Sequence, residues 1–251
     1  MLHVLVFVSG LTVLGCELTA SRLLAPYFGT SLFIWANVIG LILLYLTAGY
    51  WIGGRLSDRA PIRAALYHAC AFAAIFIGLV PYLARPILWF SSYGFASVSL
   101  GIFWGSLLGV VGLFLVPLTL LGCVSPWSVR LAVTDVAGAG RTAGSLYALS
   151  TLGSLAGAYL PVLLLIPTVG TDRTFTVLSV ALLVTCIVGL AQERRTGVPG
   201  DGPWLPAVRA WTPRLSSSYV IALALIAGLG LLPRGIVRAQ PYGELLWEGE
   251  S

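Results

Sequence analysis

The sequence predicts an all-α polytopic membrane protein of about seven transmembrane helices. Three observations carry this expectation. Hydrophobic residues make up 58% of the 251-residue chain and charged residues 9%, where soluble domains carry roughly a quarter of charged residues. Uniformly apolar runs of about 20 residues recur, enough to cross a hydrocarbon layer about 30 Å thick. The runs also lack the ten-residue alternation of a membrane β-barrel, and a helix satisfies its own backbone groups in lipid.

The first span, 4–25, begins an N-terminal six-helix domain (1–191). Val13-Leu14-Gly15-Cys16 looks like a lipoprotein cleavage box, but no Lys or Arg precedes it. A signal peptide needs a charged start, so a retained helix is expected. Glu17 lies in this apolar run. Ionisable groups at depth are costly and mark pathways or pairs. Arg22 lies about 140° around the helix from Glu17, too far for pairing along one face. Glu17 is therefore expected to face another helix, with Arg130, Asn37 or hydroxyls of span five as candidate partners. The competing reading is a solvated glutamate near the interface. Arg22 and Tyr27 are expected at the interface, with Pro26 and Gly29 turning the chain toward span two.

The second span, 32–53, leads into GGRLSDR (53–59), expected as the loop to span three. Gly53 and Gly54 permit close approach or a tight turn. Asp58 lies among Arg55, Arg59 and Arg63, where it can pair or cap a helix; an ordinary solvated loop is the plainer alternative. The third and fourth spans are drawn at 64–84 and 95–121. His68, near a span edge, reads as packed or solvated. Asp135 and Arg141 flank a turn with a helix start near Thr142.

The fifth span, 142–166, carries small residues at helical spacing. Gly144 and Ala148 are followed by Gly153 and Gly157, a literal GxxxG, and such stripes let helices pack backbone to backbone in lipid. Tyr147, Ser150 and Thr151 can present polar groups to a cavity. Pro161 and Pro167 should kink or end the helix and free carbonyls. The sixth span is 174–191. A Pro/Gly/Arg-rich cytoplasmic linker follows at 192–217, where Gly200-Asp201-Gly202 reads as a turn rather than a nucleotide loop, since no strand precedes it. A seventh helix at 218–233 and a polar tail at 234–251 complete the chain.

The four cysteines form no CxxC pair and no His cluster joins them, so neither a disulfide framework nor a metal site is expected. All 14 basic residues are arginine. Nine fall in the loops after spans two, four and six, and five in the remaining loops and tail. The positive-inside bias places the N-terminus in the cytoplasm, the tail outside and the chain in a cell (inner) membrane. No basic patch interleaved with aromatics points to nucleic acid.

ELTASRLLAPYFGTSLFIW, GGRLSDR, SPWSVRLA and GRTAGSLYALSTLGSLAGAYL…LIPTVGTDRT resemble, in order over residues 5–190, the membrane domain of spermidine-synthase-like membrane proteins, the fused major facilitator/spermidine synthase family. GGRLSDR alone also resembles the loop between the second and third helices of major facilitators, which places Gly54, Asp58 and Arg59 on that motif. The resemblance implies a six-helix unit like half of a major facilitator and a link to polyamine or related cationic metabolites. In that family a soluble aminopropyltransferase-like domain follows and binds decarboxylated S-adenosylmethionine. PYGELLWEGES (241–251) looks like its first strand, but the glycine-rich cofactor loop and the pocket acids do not follow. The chain is therefore expected to hold no cofactor and not to catalyse alone. A major facilitator needs two six-helix halves. The expected partners are thus the lipid bilayer and a synthase-like domain or a second copy, with a half-size dimeric transporter and a purely structural anchor as alternative roles.

Overall fold

In lipid, hydrocarbon surrounds exposed and buried side chains alike, so apolar burial discriminates little between helix pairings, and packing quality and interhelical hydrogen bonds decide. The computed structural model describes residues 1–59, 61–94, 101–196 and 205–231, all-helical with no strand among them. The helices are α1 (Leu2–Phe28), α2 (Leu32–Arg59), α3 (Arg63–Gly94), α4 (Gly101–Gly122), α5 (Val124–Ala132), α6 (Ala139–Leu160), α7 (Ile166–Val169), α8 (Thr171–Thr196) and α9 (Leu205–Leu231). A π-helical turn, Pro161–Leu165, joins α6 to α7.

Among the described residues, six stretches are long and apolar enough to cross a membrane: Leu2–Phe28, Leu32–Arg59, Arg63–Ser92, Phe103–Ala132, Ala139–Val169 and Thr171–Arg195. The expected seventh is helical, but its apolar part, Ser217–Leu231, is shorter. The second half of the expected linker is also helical, because α9 starts at Leu205. The turn at Gly200–Gly202, the tail from 234 and the strand expected at 241–251 lie outside the described residues.

Two parallel helix pairs are closed by glycine. Along α1 and α6, a Cβ added at Gly153 would strike the carbonyl oxygen of Phe7, one at Gly157 that of Leu11, and one at Gly10 that of Ser150. Along α2 and the α4–α5 junction, a Cβ on Gly49 would strike the Thr119 carbonyl, and one on Gly53 would lie 2.6 Å from Cys123 Cα. Asn37 ties the far end of this second pair, donating to Ser106 Oγ at 2.8 Å and to the Phe103 carbonyl at 3.0 Å. The Gly153/Gly157 spacing was visible in the sequence. Gly49 and Gly53 of α2 have the same four-residue spacing.

The rest of the bundle is packed by larger side chains. α3 and α8 run antiparallel, pinned where Ser179 Oγ donates to the Ala74 carbonyl at 2.6 Å. Phe114 of α4 meets Phe175 of α8 with ring centroids 5.9 Å apart. α9 lies along both α3 and α8: Tyr219 hydroxyl is 3.0 Å from His68 Nδ1, and the Tyr219 ring meets Phe72 edge-on. Further along, Ile226 fills the space over Gly78, and Gly230 meets Thr176. His68 is therefore a packed histidine rather than a solvated one. The four cysteines are free and buried.

Several boundaries depart from the sequence reading. α3 continues to Gly94, so Arg85 lies in a helix that also holds Pro81 and Pro86. Pro26 lies inside α1 and does not turn the chain. The turn belongs to Gly29, at φ 82, and its backbone N–H caps the helix through the Ala25 carbonyl. Left-handed backbone favours glycine, which has no Cβ to clash. Gly170, at φ 84, ends α7 in the same way. Pro161 does not end its helix either. Proline lacks the N–H that would bond one turn back, and the π turn absorbs the misfit.

Candidate functional site

A cleft of about 120 Å³ opens between α1, α2, α5 and α6. It holds several water-sized groups. Val6, Val13, Leu46, Leu121 and Leu146 supply its apolar wall; Tyr50 and five serines, Ser9, Ser125, Ser128, Ser150 and Ser154, supply the polar groups. The glycine-closed pairs create it. α1 and α6 meet backbone to backbone, as do α2 and the α4–α5 junction, and the space lies between the two pairs.

The serines divide into two sets. Ser9 Oγ donates to the Val6 carbonyl at 2.9 Å and Ser154 Oγ to the Gly10 carbonyl at 3.3 Å. These hydroxyls are satisfied by α1 itself. Ser128 Oγ is buried and has no hydrogen-bond partner. Ser125 and Ser150 also make no hydrogen bond among the described residues. An orphaned buried hydroxyl costs about 1–3 kcal/mol. Ser128 is the one of the three that is buried, with Ser125 and Ser150 half-buried beside it, and together they form a site for a polar ligand or for water.

Glu17 stands on the same face of α1. It follows Val13 by four residues and Gly10 by seven, hence within about 40° of both around the helix. It is half-buried, in the second half of α1, beyond the cleft. Among the described residues it has no hydrogen bond and no ion pair. None of the partners expected for it bonds it among the described residues. Arg130 Nε lies 3.5 Å from Asp58 Oδ1. Asn37 bonds α4, and Ser154 bonds Gly10.

The remaining sequence candidates are dispersed. Arg22 is exposed within α1, and no ion pair joins it to Glu17. Tyr147 is exposed on α6 and does not line the cleft, whereas Ser150 does. Thr151 is exposed and donates back to the Tyr147 carbonyl. Gly144 and Gly54 face open space, and no helix packs on either. Arg141 is exposed in the first turn of α6, which begins at Ala139 rather than at Thr142. Asp135 shapes the preceding turn by accepting the Gly138 N–H at 2.5 Å.

GGRLSDR is not a loop: it forms the last two turns of α2. Asp58 reaches across to α5 instead of pairing with its own arginines. The arginine ends of α2, α3, α5 and α8 therefore gather at one end of the bundle, where Arg63 also approaches Glu193 at 4.0 Å. Sequence reasoning missed Ser9, Tyr50, Ser125 and Ser128. SPWS carries two of them, but serines in an apolar segment usually bond their own helix, so only the packing separates the free hydroxyls from the satisfied ones.

No group of three or more metal-ligating side chains occurs among the described residues. No family model, curated protein or solved structure matches this chain.

Proposed function

We propose that the chain is the integral membrane module of a spermidine-synthase-like protein, and that its cleft admits a small polyamine-like or related cationic metabolite. One observation supports this above others: the buried, unsatisfied hydroxyl of Ser128, with half-buried Ser125 and Ser150, borders an opening on the α1 face that carries Glu17, which has no ion pair among the described residues. Hydroxyl oxygens accept from an ammonium group, and a carboxylate at depth supplies the charge that makes an amine worth desolvating. The chain binds and does not catalyse on its own.

The test is binding of 1,4-diaminobutane to the purified chain, measured by calorimetry in a neutral detergent. Glu17→Gln should weaken binding at least tenfold, and Ser128→Ala several-fold. Equal binding by the parent chain and Glu17→Gln would sink the reading. A structural anchor predicts that outcome together with an unchanged melting temperature.

A second reading, a half-size transporter working as a dimer, is favoured by α6. Only Leu146, Gly153 and Gly157 are buried on this helix. Its other faces expose Leu152, Leu155 and Tyr159, away from the cleft wall of Leu146, Ser150 and Ser154, and leave room for a second copy. Native mass spectrometry that finds only monomer in mild detergent and in lipid discs argues against it.

A further inference from the structure

The last two turns of α2 carry a cluster that the cleft does not use. Trp51, Arg55 and Arg59 follow one another at four-residue steps, so successive side chains lie about 40° apart around the helix, with Cβ atoms roughly 5–6 Å apart. All three are exposed, Trp51 to 63%. The Arg55 guanidinium carbon stacks 3.6 Å from the centroid of the Trp51 ring. Neither arginine has a carboxylate partner among the described residues, and Asp58, which separates them in sequence, is turned to Arg130. One helical turn before Trp51, the same outer side continues through exposed Thr47, Leu44 and Leu43 to Gly40, which faces open space.

We propose that this stripe is a docking site for an anionic phospholipid. The apolar part, from Gly40 to Thr47, lies where an acyl chain would run. Trp51 sits between apolar and charged segments, the level at which tryptophan anchors to a bilayer interface. Arg55 and Arg59 then meet the phosphate, which planar guanidinium groups clasp with two parallel hydrogen bonds each. Stacking on Trp51 holds Arg55 in place before the lipid arrives, so less freedom is lost on binding. Charge complementarity selects the occupant: two unneutralised cations at the end of a lipid-facing helix favour an anionic headgroup over a zwitterionic one.

The experiment is native mass spectrometry of the purified full chain, titrated with phosphatidylglycerol and with phosphatidylcholine of the same acyl chains. Phosphatidylglycerol should bind at least tenfold more tightly. Arg55→Gln or Arg59→Gln should each lose about fivefold and the double variant about thirtyfold, as expected for one surface charge each. The pair Arg55→Lys with Arg59→Lys should keep most of the preference. The melting temperature in phosphatidylcholine should match that of the parent chain for all of them. If the double variant does not fold, Arg59→Gln decides, since Arg59 is exposed and makes no ion pair among the described residues. Equal binding of the two lipids, or an unchanged phosphatidylglycerol affinity in a folded arginine-to-glutamine variant, overturns the proposal. Inorganic phosphate displacing phosphatidylglycerol at millimolar concentration also overturns it, in favour of a soluble anion.

Discussion

The two sides of this bundle are built by opposite means. On one side α1 meets α6, and α2 meets the α4–α5 junction, through glycines whose missing side chains let backbones touch. On the other, α3, α8 and α9 are spaced by Tyr67, Phe175, Leu182 and Tyr219, all buried. The glycine side leaves an opening with unsatisfied hydroxyls, whereas the aromatic side is filled. In a bilayer the hydrophobic effect does not pull helices together, so each side is stabilised by contact and hydrogen bonding alone. Backbone-to-backbone seams give that contact with very small residues and little tolerance. Side-chain packing tolerates change and fills the space between helices.

That contrast is open to direct attack. The largest effect should come from Gly153→Val, which drives a branched side chain into the Phe7 carbonyl. Overpacking costs about 1–3 kcal/mol even where neighbours can shift, and a backbone oxygen cannot shift far. Loss of monodisperse protein on fluorescence-detected size exclusion is expected, and a stable, monodisperse variant would break the seam argument. Gly49→Val should do the same to the second pair, while Gly144→Val, in open space, should be silent. Asn37→Ala comes next. It removes both bonds from α2 to α4 and leaves Ser106 Oγ bonded only to the Phe103 carbonyl of its own helix, at a cost of about 1–2 kcal/mol, read as a lowered melting temperature.

Tyr219→Phe tests the filled side. It removes one hydrogen bond to His68 and keeps the ring against Phe72, so roughly 0.6 kcal/mol is expected, close to the average measured between membrane helices. A collapse of stability would show that α9 is held by that bond rather than by packing. Asp58→Asn should have the smallest effect. The side chains of the Asp58–Arg130 pair are 75% and 51% exposed, and exposed pairs contribute about 0.2–1 kcal/mol. The change should be near the detection limit and vanish in high salt.

Much of this architecture is decided by local chemistry. A chain with 9% charged residues and repeated apolar runs has helices as its only ready way to satisfy backbone groups in lipid, and six such spans result. Gly153 and Gly157 announced a close helix contact, because only packing rewards a bare helix face. What the sequence could not supply was the identity of neighbours. Periodicity says which face of a helix is small or polar, not which other helix meets it. Pairing of α1 with α6 turned Ser150 toward a cleft and left Tyr147 outside; pairing of α2 with α4 and α5 carried Asp58 to Arg130, away from its own arginines. Among the described residues the same packing leaves Ser128 without a hydrogen bond and Glu17 without an ion pair. Local helix formation is written residue by residue, whereas the site arises from contacts between residues 69 to 144 positions apart, which only the tertiary structure decides.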